Sequence, residues 1–230
     1  MVRHPLVEFH LPFFSGHRRI RVFLPPKMES PTPLLVLLDG QNVFDDLGSH
    51  SGGWHADLAV SRLPSTVARP LVVAVDHGHQ HRMHELWSGL EHFQSFVTTE
   101  VVPTVAARWP LTAHRAIGGS SMGGLAALAI HFRNPDLFAG ALCMSPSFWV
   151  QHGRIFDELR SLPVPRLSKI YLDAGGKERL APLAAKMAYE LTQRGYGPDR
   201  LMWRPDARGR HHERHWQRRL PKALRFLFHK

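Results

Sequence analysis

The sequence of 230 residues contains one cysteine, Cys143, and no apolar run long enough to cross a membrane. A single cysteine excludes an internal disulfide bond and is typical of a protein in a reducing cytoplasm. The first residues mix apolar side chains with charge and proline, so we expect neither a signal peptide nor a membrane anchor there. Repeats and low-complexity segments are also lacking. The length and the 43% hydrophobic content suit one domain that spans residues 1–230.

Acidic residues are scarce, since 19 Asp and Glu face 29 Lys and Arg, which gives a formal net charge of +10. The excess is concentrated at the C-terminus, where residues 204–230 hold nine basic residues against Asp206 and Glu213. Such a segment suits an anionic substrate or nucleic acid, or is the solvated face of an Arg-rich helix. No nucleic-acid-binding motif accompanies it, so we expect no nucleic-acid partner. Because the sequence has no membrane-spanning run, we also expect no membrane partner. The sequence indicates no particular oligomeric state.

Two kinds of strand pattern follow one another along the chain. Residues 7–11 and 19–24 alternate with period two around Ser15-Gly16, which predicts an antiparallel hairpin with one wet face. Residues 34–38, 71–75 and 170–172 are continuously apolar, as in strands that helices cover on both faces. The predicted helices span residues 54–63, 91–109, 125–132, 181–193 and 213–228.

This alternation predicts an α/β fold with a mostly parallel central sheet, an N-terminal antiparallel hairpin and helices on both faces. Functional residues in such folds lie beyond the carboxyl ends of the strands. Only 22 residues separate Met144 from Leu167, so we expect no large lid in that connection.

Gly119-Ser120-Ser121-Met122-Gly123 matches the pattern G-x-S-x-G between a short apolar run and a helix pattern. The pattern is typical of a sharp strand-to-helix turn that exposes a nucleophilic serine. Glycine is needed two residues before and after the serine, because larger side chains would collide with neighbouring backbone. The helix N-terminus also favours developing negative charge. Ser120 lacks this framing, since Met122 stands two residues after it, so Ser121 is the predicted nucleophile.

A serine hydroxyl needs a base to take its proton and an acid to orient that base. On α/β-hydrolase folds the acid follows the serine in the chain, and the histidine follows the acid. Asp173 ends an apolar run, whereas Glu178 lies in the loop beyond it, and the loop position favours Glu178 as the acid. His211 and His212 both precede the final helix, while His215 falls inside it. Position in the chain does not separate His211 from His212.

The histidine-rich segments do not match a metal-binding spacing. His212-Glu213 is followed by His215, one residue too early for the zinc-protease pattern H-E-x-x-H. The four histidines of residues 77–84 have no fixed ligand spacing. We therefore expect no metal and no cofactor.

These segments together resemble the Putative esterase family of α/β-hydrolases, which includes esterase D-type enzymes, feruloyl esterases and enterochelin esterases. The similar segments are residues 37–45, the turn at 118–124 with its methionine, and residues 145–149. In this family the catalytic histidine commonly stands five residues before a tryptophan that begins the last helix, which implies His211 ahead of Trp216. The enterochelin-esterase pattern Ala-Gly-x-x-Glu implies Glu178 as the acid.

The resemblance implies an α/β-hydrolase fold and a serine esterase that cleaves carboxylic esters. The oxyanion donors it implies are the backbone N–H groups of Met122 and Gln41. Residues 82–86 are similar to a family segment near the active site, and in that segment we expect Arg82 and Glu85 to pair with each other as structural residues.

Four aromatic residues near predicted strand ends are candidates for a substrate pocket, although each is also a candidate for the core. They are Trp54, Trp87, Phe148 and Trp149. We expect the partner to be a small-molecule ester, and the basic charge favours an anionic one. The alternatives are an acyltransferase with the same triad and a non-catalytic anion- or nucleic-acid-binding protein on this fold.

Overall fold

The computed structural model describes residues 5–47, 49 and 51–230, so the first four residues of the N-terminal stretch lie outside the description. Eight strands form one sheet in the order β1-β2-β4-β3-β5-β6-β7-β8. The strands are β1 (Leu6–Phe13), β2 (Gly16–Phe23), β3 (Thr32–Leu38), β4 (Leu71–Val75), β5 (Leu111–Ser120), β6 (Gly140–Met144), β7 (Lys169–Gly175) and β8 (Leu201–Asp206).

The sheet changes character along its width, as the sequence predicts. The hairpin partners β1 and β2 pair antiparallel, and β2 joins the sheet antiparallel to β4. From β4 to β8 every neighbouring pair is parallel. Every residue of β3 and of β4 is buried, because helices cover both faces of the sheet there. The mostly parallel α/β sheet with an N-terminal hairpin is therefore confirmed.

In the described part of the chain, seven α-helices surround this sheet. They are α1 (Ala56–Ser61), α2 (Leu90–Ser95), α3 (Val102–Arg108), α4 (Met122–Arg133), α5 (Arg154–Ser161), α6 (Ala181–Gln193) and α7 (Glu213–Leu227). Apolar residues of α2 to α6 pack on one face of the sheet, and those of α1 and α7 pack on the other. Within the described ranges, no helix has both the length and the hydrophobicity to cross a bilayer.

Some helix boundaries differ from the prediction. They differ where the helix is apolar on all sides or where π-helical turns interrupt its period. Helix α4 begins at Met122 rather than Leu125, because it is buried on nearly all sides and its glycines hide the period of a half-buried helix. The predicted helix 91–109 is instead a longer helical region that includes π-helical turns at His84–Ser88 and Phe96–Val101. Helix α5 was not predicted.

The parallel strands direct the functional segments to one edge of the sheet. The loops that follow the carboxyl ends of β3, β5, β6, β7 and β8 all lie at that edge. Among described residues, the connection from β6 to β7 contains only a short 3-10 turn at Val150–Gly153 and α5, and no separate lid.

Candidate active site

Ser121 occupies a strained turn between β5 and α4. Its backbone has φ 54° and ψ −120°, which is unusual for a residue with a side chain. The Ser121 N–H donates to Met144 O at 2.9 Å, which ties the turn to the end of β6. A Cβ atom added to Gly119 would lie 2.5 Å from the carbonyl carbon of Gly123. The two glycines of the G-x-S-x-G pattern thus pack directly on each other and fix the serine at the turn.

The hydroxyl of Ser121 lies beside that of Ser147. Their Oγ atoms are 3.1 Å apart, and the Ser147 N–H donates to Ser121 O at 3.0 Å. Within the described chain, Ser147 is the one residue hydrogen-bonded to the Ser121 Oγ. Ser147 is buried in the segment after β6. The sequence placed this segment near the site but gave Ser147 no role.

Glu178 and His211 meet across two loops. Glu178 follows β7, His211 follows β8, and His211 Nδ1 lies 3.0 Å from Glu178 Oε2. The Glu178 carboxyl is 1% exposed, whereas the His211 side chain is 36% exposed. The imidazole ring also packs edge-on against Trp216, with ring centroids 4.9 Å apart. The ring is therefore held by one hydrogen bond at Nδ1 and by one aromatic contact.

The second oxygen of Glu178 is held by groups that keep the carboxyl charged. Glu178 Oε1 accepts from Ser145 Oγ at 2.8 Å and from the Gly175 N–H at 2.8 Å. Burial alone raises the pKa of Glu178, but the hydrogen bonds from His211, Ser145 and Gly175 outweigh it and lower that pKa. The carboxylate is therefore ionised at neutral pH, as an acid that orients an imidazole must be.

Ser145 is the centre of a buried polar network behind this pair. Its Oγ also receives hydrogen bonds from Trp216 Nε1 at 3.0 Å and Arg219 Nη2 at 2.9 Å. Arg219 Nε lies 3.2 Å from Asp173 Oδ2. The network thus links the segment after β6, the end of β7 and helix α7. Sequence patterns gave no role to Ser145 or Arg219.

The competing acid and histidines occupy other positions. Asp173 lies inside β7, fully buried, where it accepts from Tyr171 OH at 3.1 Å and from the Ser145 N–H at 3.0 Å. Burial raises the pKa of Asp173 to about 7, against the opposing effect of Arg219. His212 caps α7, where its ring accepts from the Arg214 N–H at 3.2 Å. The structure brings His211 and Glu178 together, and neither Asp173 nor His212 is in that pair.

The two predicted oxyanion donors belong to segments that follow β5 and β3 at the same edge of the sheet. Met122 is the first residue of α4, where an N–H group has no partner within the helix. Gln41 lies in the 3-10 turn Gly40–Asn42 directly after β3. The Gln41 side chain donates to His77 O at 2.8 Å and accepts from the His77 N–H at 3.1 Å, so the loops after β3 and β4 are tied together.

The expected pairing of Arg82 with Glu85 is wrong. Arg82 binds the buried carboxylate of Asp39 through two hydrogen bonds, with Nε at 2.7 Å and Nη2 at 2.5 Å. Glu85 pairs instead with Arg18 at 2.5 Å and accepts from the Gly78 N–H at 2.8 Å. Asp39 directly follows β3 and is almost completely buried, so its charge needs a cation from another loop, and Arg82 supplies it.

A cavity of about 410 Å³ contains both Ser121 and His211. Its polar lining includes Gln41, His77 and His79, and Trp216 lies at its wall. Burial lowers the pKa of His77, so this ring is neutral at neutral pH. Among the described ranges, no group of three or more His, Cys, Asp or Glu side chains has the arrangement of a metal site.

The four aromatic candidates do not line this cavity. Trp54 is buried and packs near Trp216, with ring centroids 6.3 Å apart. Trp87 faces a separate small cavity, and Phe148 is fully buried against Phe156. Trp149 is 50% exposed. The structure therefore does not support a pocket formed by these residues around Ser121. Packing of helices on the sheet also requires large apolar side chains at strand ends. The sequence alone therefore does not distinguish an aromatic residue of the core from one that lines a substrate pocket.

Comparison with known proteins finds two esterases among the curated relatives. The chain is 30% identical over 197 residues to an iron(III) enterobactin esterase of Escherichia coli O6:H1, covering 75% of this chain and 47% of the relative. It is 26% identical over 138 residues to an iron(III) salmochelin esterase of the same organism, covering 57% of this chain and 32% of the relative. The chain thus spans between about a third and half of these curated relatives.

A solved structure extends the likeness to the whole chain. The BES protein of Bacillus cereus superposes with a TM-score of 0.81 at 20% identity, covering 100% of this chain and 97% of that one. This likeness shows a shared α/β fold. The Putative esterase family matches residues 13–227, so the chain belongs to the Putative esterase family.

Proposed function

We propose that the protein hydrolyses carboxylic esters through a triad of Ser121, His211 and Glu178. The observation that carries the proposal is the 3.0 Å contact between His211 Nδ1 and the buried Glu178 Oε2, in the cavity that also contains the strained Ser121. This combination of nucleophile, base and orienting acid is the one that ester hydrolysis by a serine requires.

Each residue of the triad has a defined task. Glu178 fixes the tautomer in which Nδ1 of His211 carries the proton, which leaves Nε2 free to accept one. His211 Nε2 takes the proton of the Ser121 hydroxyl as its Oγ attacks the ester carbonyl, and then gives that proton to the leaving alcohol. Water then attacks the carbonyl of the acyl-enzyme while His211 Nε2 takes its proton, and that proton passes to Ser121 Oγ as the bond from Oγ to the acyl group breaks and the carboxylic acid leaves. The Ser121 hydroxyl pairs with that of Ser147, and hydrogen bonds between a catalytic nucleophile and its base often tighten only with substrate bound.

Charge that develops on the carbonyl oxygen is met by the backbone. The Met122 N–H lies at the N-terminus of α4, whose dipole favours negative charge. The Gln41 N–H is the second proposed donor. The Gln41 side chain holds its turn in place through both polar groups of the His77 backbone. Loss of one such donor costs about 3 kcal/mol of transition-state stabilisation in comparable sites.

We further propose that the substrate is a small anionic ester. The net charge of +10 raises the local concentration of anions, and the two curated relatives are named as esterases of iron(III) enterobactin and iron(III) salmochelin. Residues 1–230 act in this proposal as one α/β-hydrolase domain, and the single buried Cys143 agrees with a cytoplasmic location.

The test is the initial rate of hydrolysis on p-nitrophenyl esters of increasing chain length. Wild type is compared with Ser121→Ala and, as the matched control, Ser120→Ala. We expect Ser121→Ala to lose activity by about 10⁴-fold or more, and Ser120→Ala to keep most of it. Equal losses in the two variants would contradict the assignment of Ser121. Rates at two ionic strengths on a neutral and an anionic ester test the charge preference.

A further inference from the structure

A second cavity of about 280 Å³ lies where the end of β8 meets helix α7. It shares no lining residue with the cavity that contains Ser121. Five basic side chains line it, Arg204, Arg208, Arg218, Arg219 and Lys222, together with the carboxylate of Asp206. Five basic residues and one acidic residue line this small concave site, and one of the five, Arg219, also pairs with Asp173 behind the cavity wall.

The one acidic group in the lining is already neutralised. Asp206 forms an ion pair with Arg218, and this contact lowers the pKa of Asp206 against the opposing effect of burial. Among described residues, no carboxylate lies within ion-pair distance of Arg204, Arg208 or Lys222. Three cations of the cavity therefore lack a counter-charge from the protein.

Arg219 supplies the buried wall of this cavity. Its side chain is only 7% exposed, and Arg219 Nη2 donates to Ser145 Oγ at 2.9 Å. The Nη1 atom is buried without a hydrogen-bond partner in the described structure. A buried guanidinium nitrogen with no acceptor costs about 1–3 kcal/mol or more, so native proteins rarely leave one unpaired. An acceptor from outside the chain would remove this cost.

We propose that this cavity binds a dianionic phosphate group. Guanidinium groups match the geometry of phosphate oxygens, and such charge-assisted hydrogen bonds are among the stronger ones in proteins. The excess positive charge favours a dianion over chloride or another monovalent anion. The volume admits a phosphate group and a few attached atoms. This site is separate from the proposed ester-hydrolysing site, and its binding is measured without any reference to activity.

Isothermal titration of the full chain with inorganic phosphate, at constant ionic strength with chloride as the balancing ion, tests the site. Wild type is compared with the double variant Arg204→Ala/Lys222→Ala, which leaves the triad network intact. Arg225→Ala is the matched control, since it removes a cation from α7 outside this cavity. We expect saturable one-to-one binding by wild type and by Arg225→Ala, and binding at least about tenfold weaker in the double variant.

A parallel titration with glycerol 1-phosphate distinguishes the two sources of the group. Tighter binding than that of inorganic phosphate would assign the site to a phosphate monoester, and equal or weaker binding to the free ion. Absence of phosphate binding in wild type would overturn the proposal. Equal affinity of wild type and the double variant would overturn it too, because the phosphate would then bind elsewhere. Phosphate-dependent thermal stabilisation of wild type beyond that of the double variant gives an independent readout.

Discussion

The two halves of the candidate site are fixed by different physical means. On the nucleophile side, backbone packs on backbone, since Gly119 and Gly123 touch and force Ser121 into its strained turn. On the acid–base side, a buried polar network joins Ser145, Glu178 and Arg219 and leaves His211 at its exposed end. The first half is a local property of five consecutive residues. The second half joins segments that are far apart in the chain.

This difference determines how each half is expected to fail. Close packing of glycines tolerates no added atom, so a single methyl group is disruptive. A hydrogen-bond network can lose one member and keep the fold, but it leaves the remaining buried groups unsatisfied. Substitutions on the two sides therefore separate loss of geometry from loss of polarity.

Glu178→Gln removes the charge that holds His211 and keeps the shape of the side chain. We expect hydrolysis of p-nitrophenyl acetate to fall by about 10³- to 10⁴-fold, because an amide favours the wrong imidazole tautomer. Glu190→Gln is the control, since it breaks an exposed ion pair with Arg160 far from the site. A loss of less than tenfold in Glu178→Gln would show that another group orients His211.

Gly119→Ala tests the packed turn. Its Cβ would lie 2.5 Å from the carbonyl carbon of Gly123, so the turn must shift. We expect the free energy of unfolding to fall by about 1–3 kcal/mol and hydrolysis to fall by about 100-fold as the nucleophile moves. Gly16→Ala is the matched control, since an added Cβ there meets no atom within 4 Å. Full activity in Gly119→Ala, measured on protein with a native unfolding transition, would contradict the packing account.

Ser145→Ala tests the polar network. Loss of its hydroxyl removes a donor to Glu178 and the acceptor for Trp216 Nε1 and Arg219 Nη2. We expect a loss of about 1–3 kcal/mol in the free energy of unfolding, with a smaller loss of activity than in Glu178→Gln. Urea denaturation measures the first and the ester assay the second, with Ser161→Ala on the surface as the control. Unchanged stability would exclude Ser145 as the centre of the network.

The pH dependence of stability gives the smallest effect. Because the pKa of Glu178 is lowered in the folded state, its charge stabilises the fold above the carboxyl's unfolded pKa, and this contribution is lost as pH falls through the folded value. The difference in free energy of unfolding between wild type and Glu178→Gln should therefore be larger at pH 6 than at pH 3.5. A difference that grows toward low pH would mean that the fold raises this pKa.

The sequence predicts the local nucleophile turn better than the long-range polar network around Glu178 and His211. The G-x-S-x-G turn, the alternation of strands and helices along the chain and the loop position of Glu178 are local patterns, and the fold confirms the mostly parallel sheet that the alternation predicts. The roles of Ser145, Ser147 and Arg219 depend on contacts between distant segments, which no spacing reveals. The wrong pairing of Arg82 with Glu85 has the same origin, since its partner Asp39 lies 43 residues earlier in the chain. The four aromatic residues near strand ends were predicted for a pocket that they do not line, because a hydrophobic core and a substrate pocket both require large aromatic side chains.

The most direct test of the central claim is labelling by a fluorophosphonate, with the modified peptide identified by mass spectrometry. The proposed triad predicts one adduct on Ser121, formed about 10³-fold or more slowly in His211→Ala and at nearly the wild-type rate in His212→Ala. An adduct on another serine, or equal labelling rates in the two histidine variants, would contradict the triad of Ser121, His211 and Glu178.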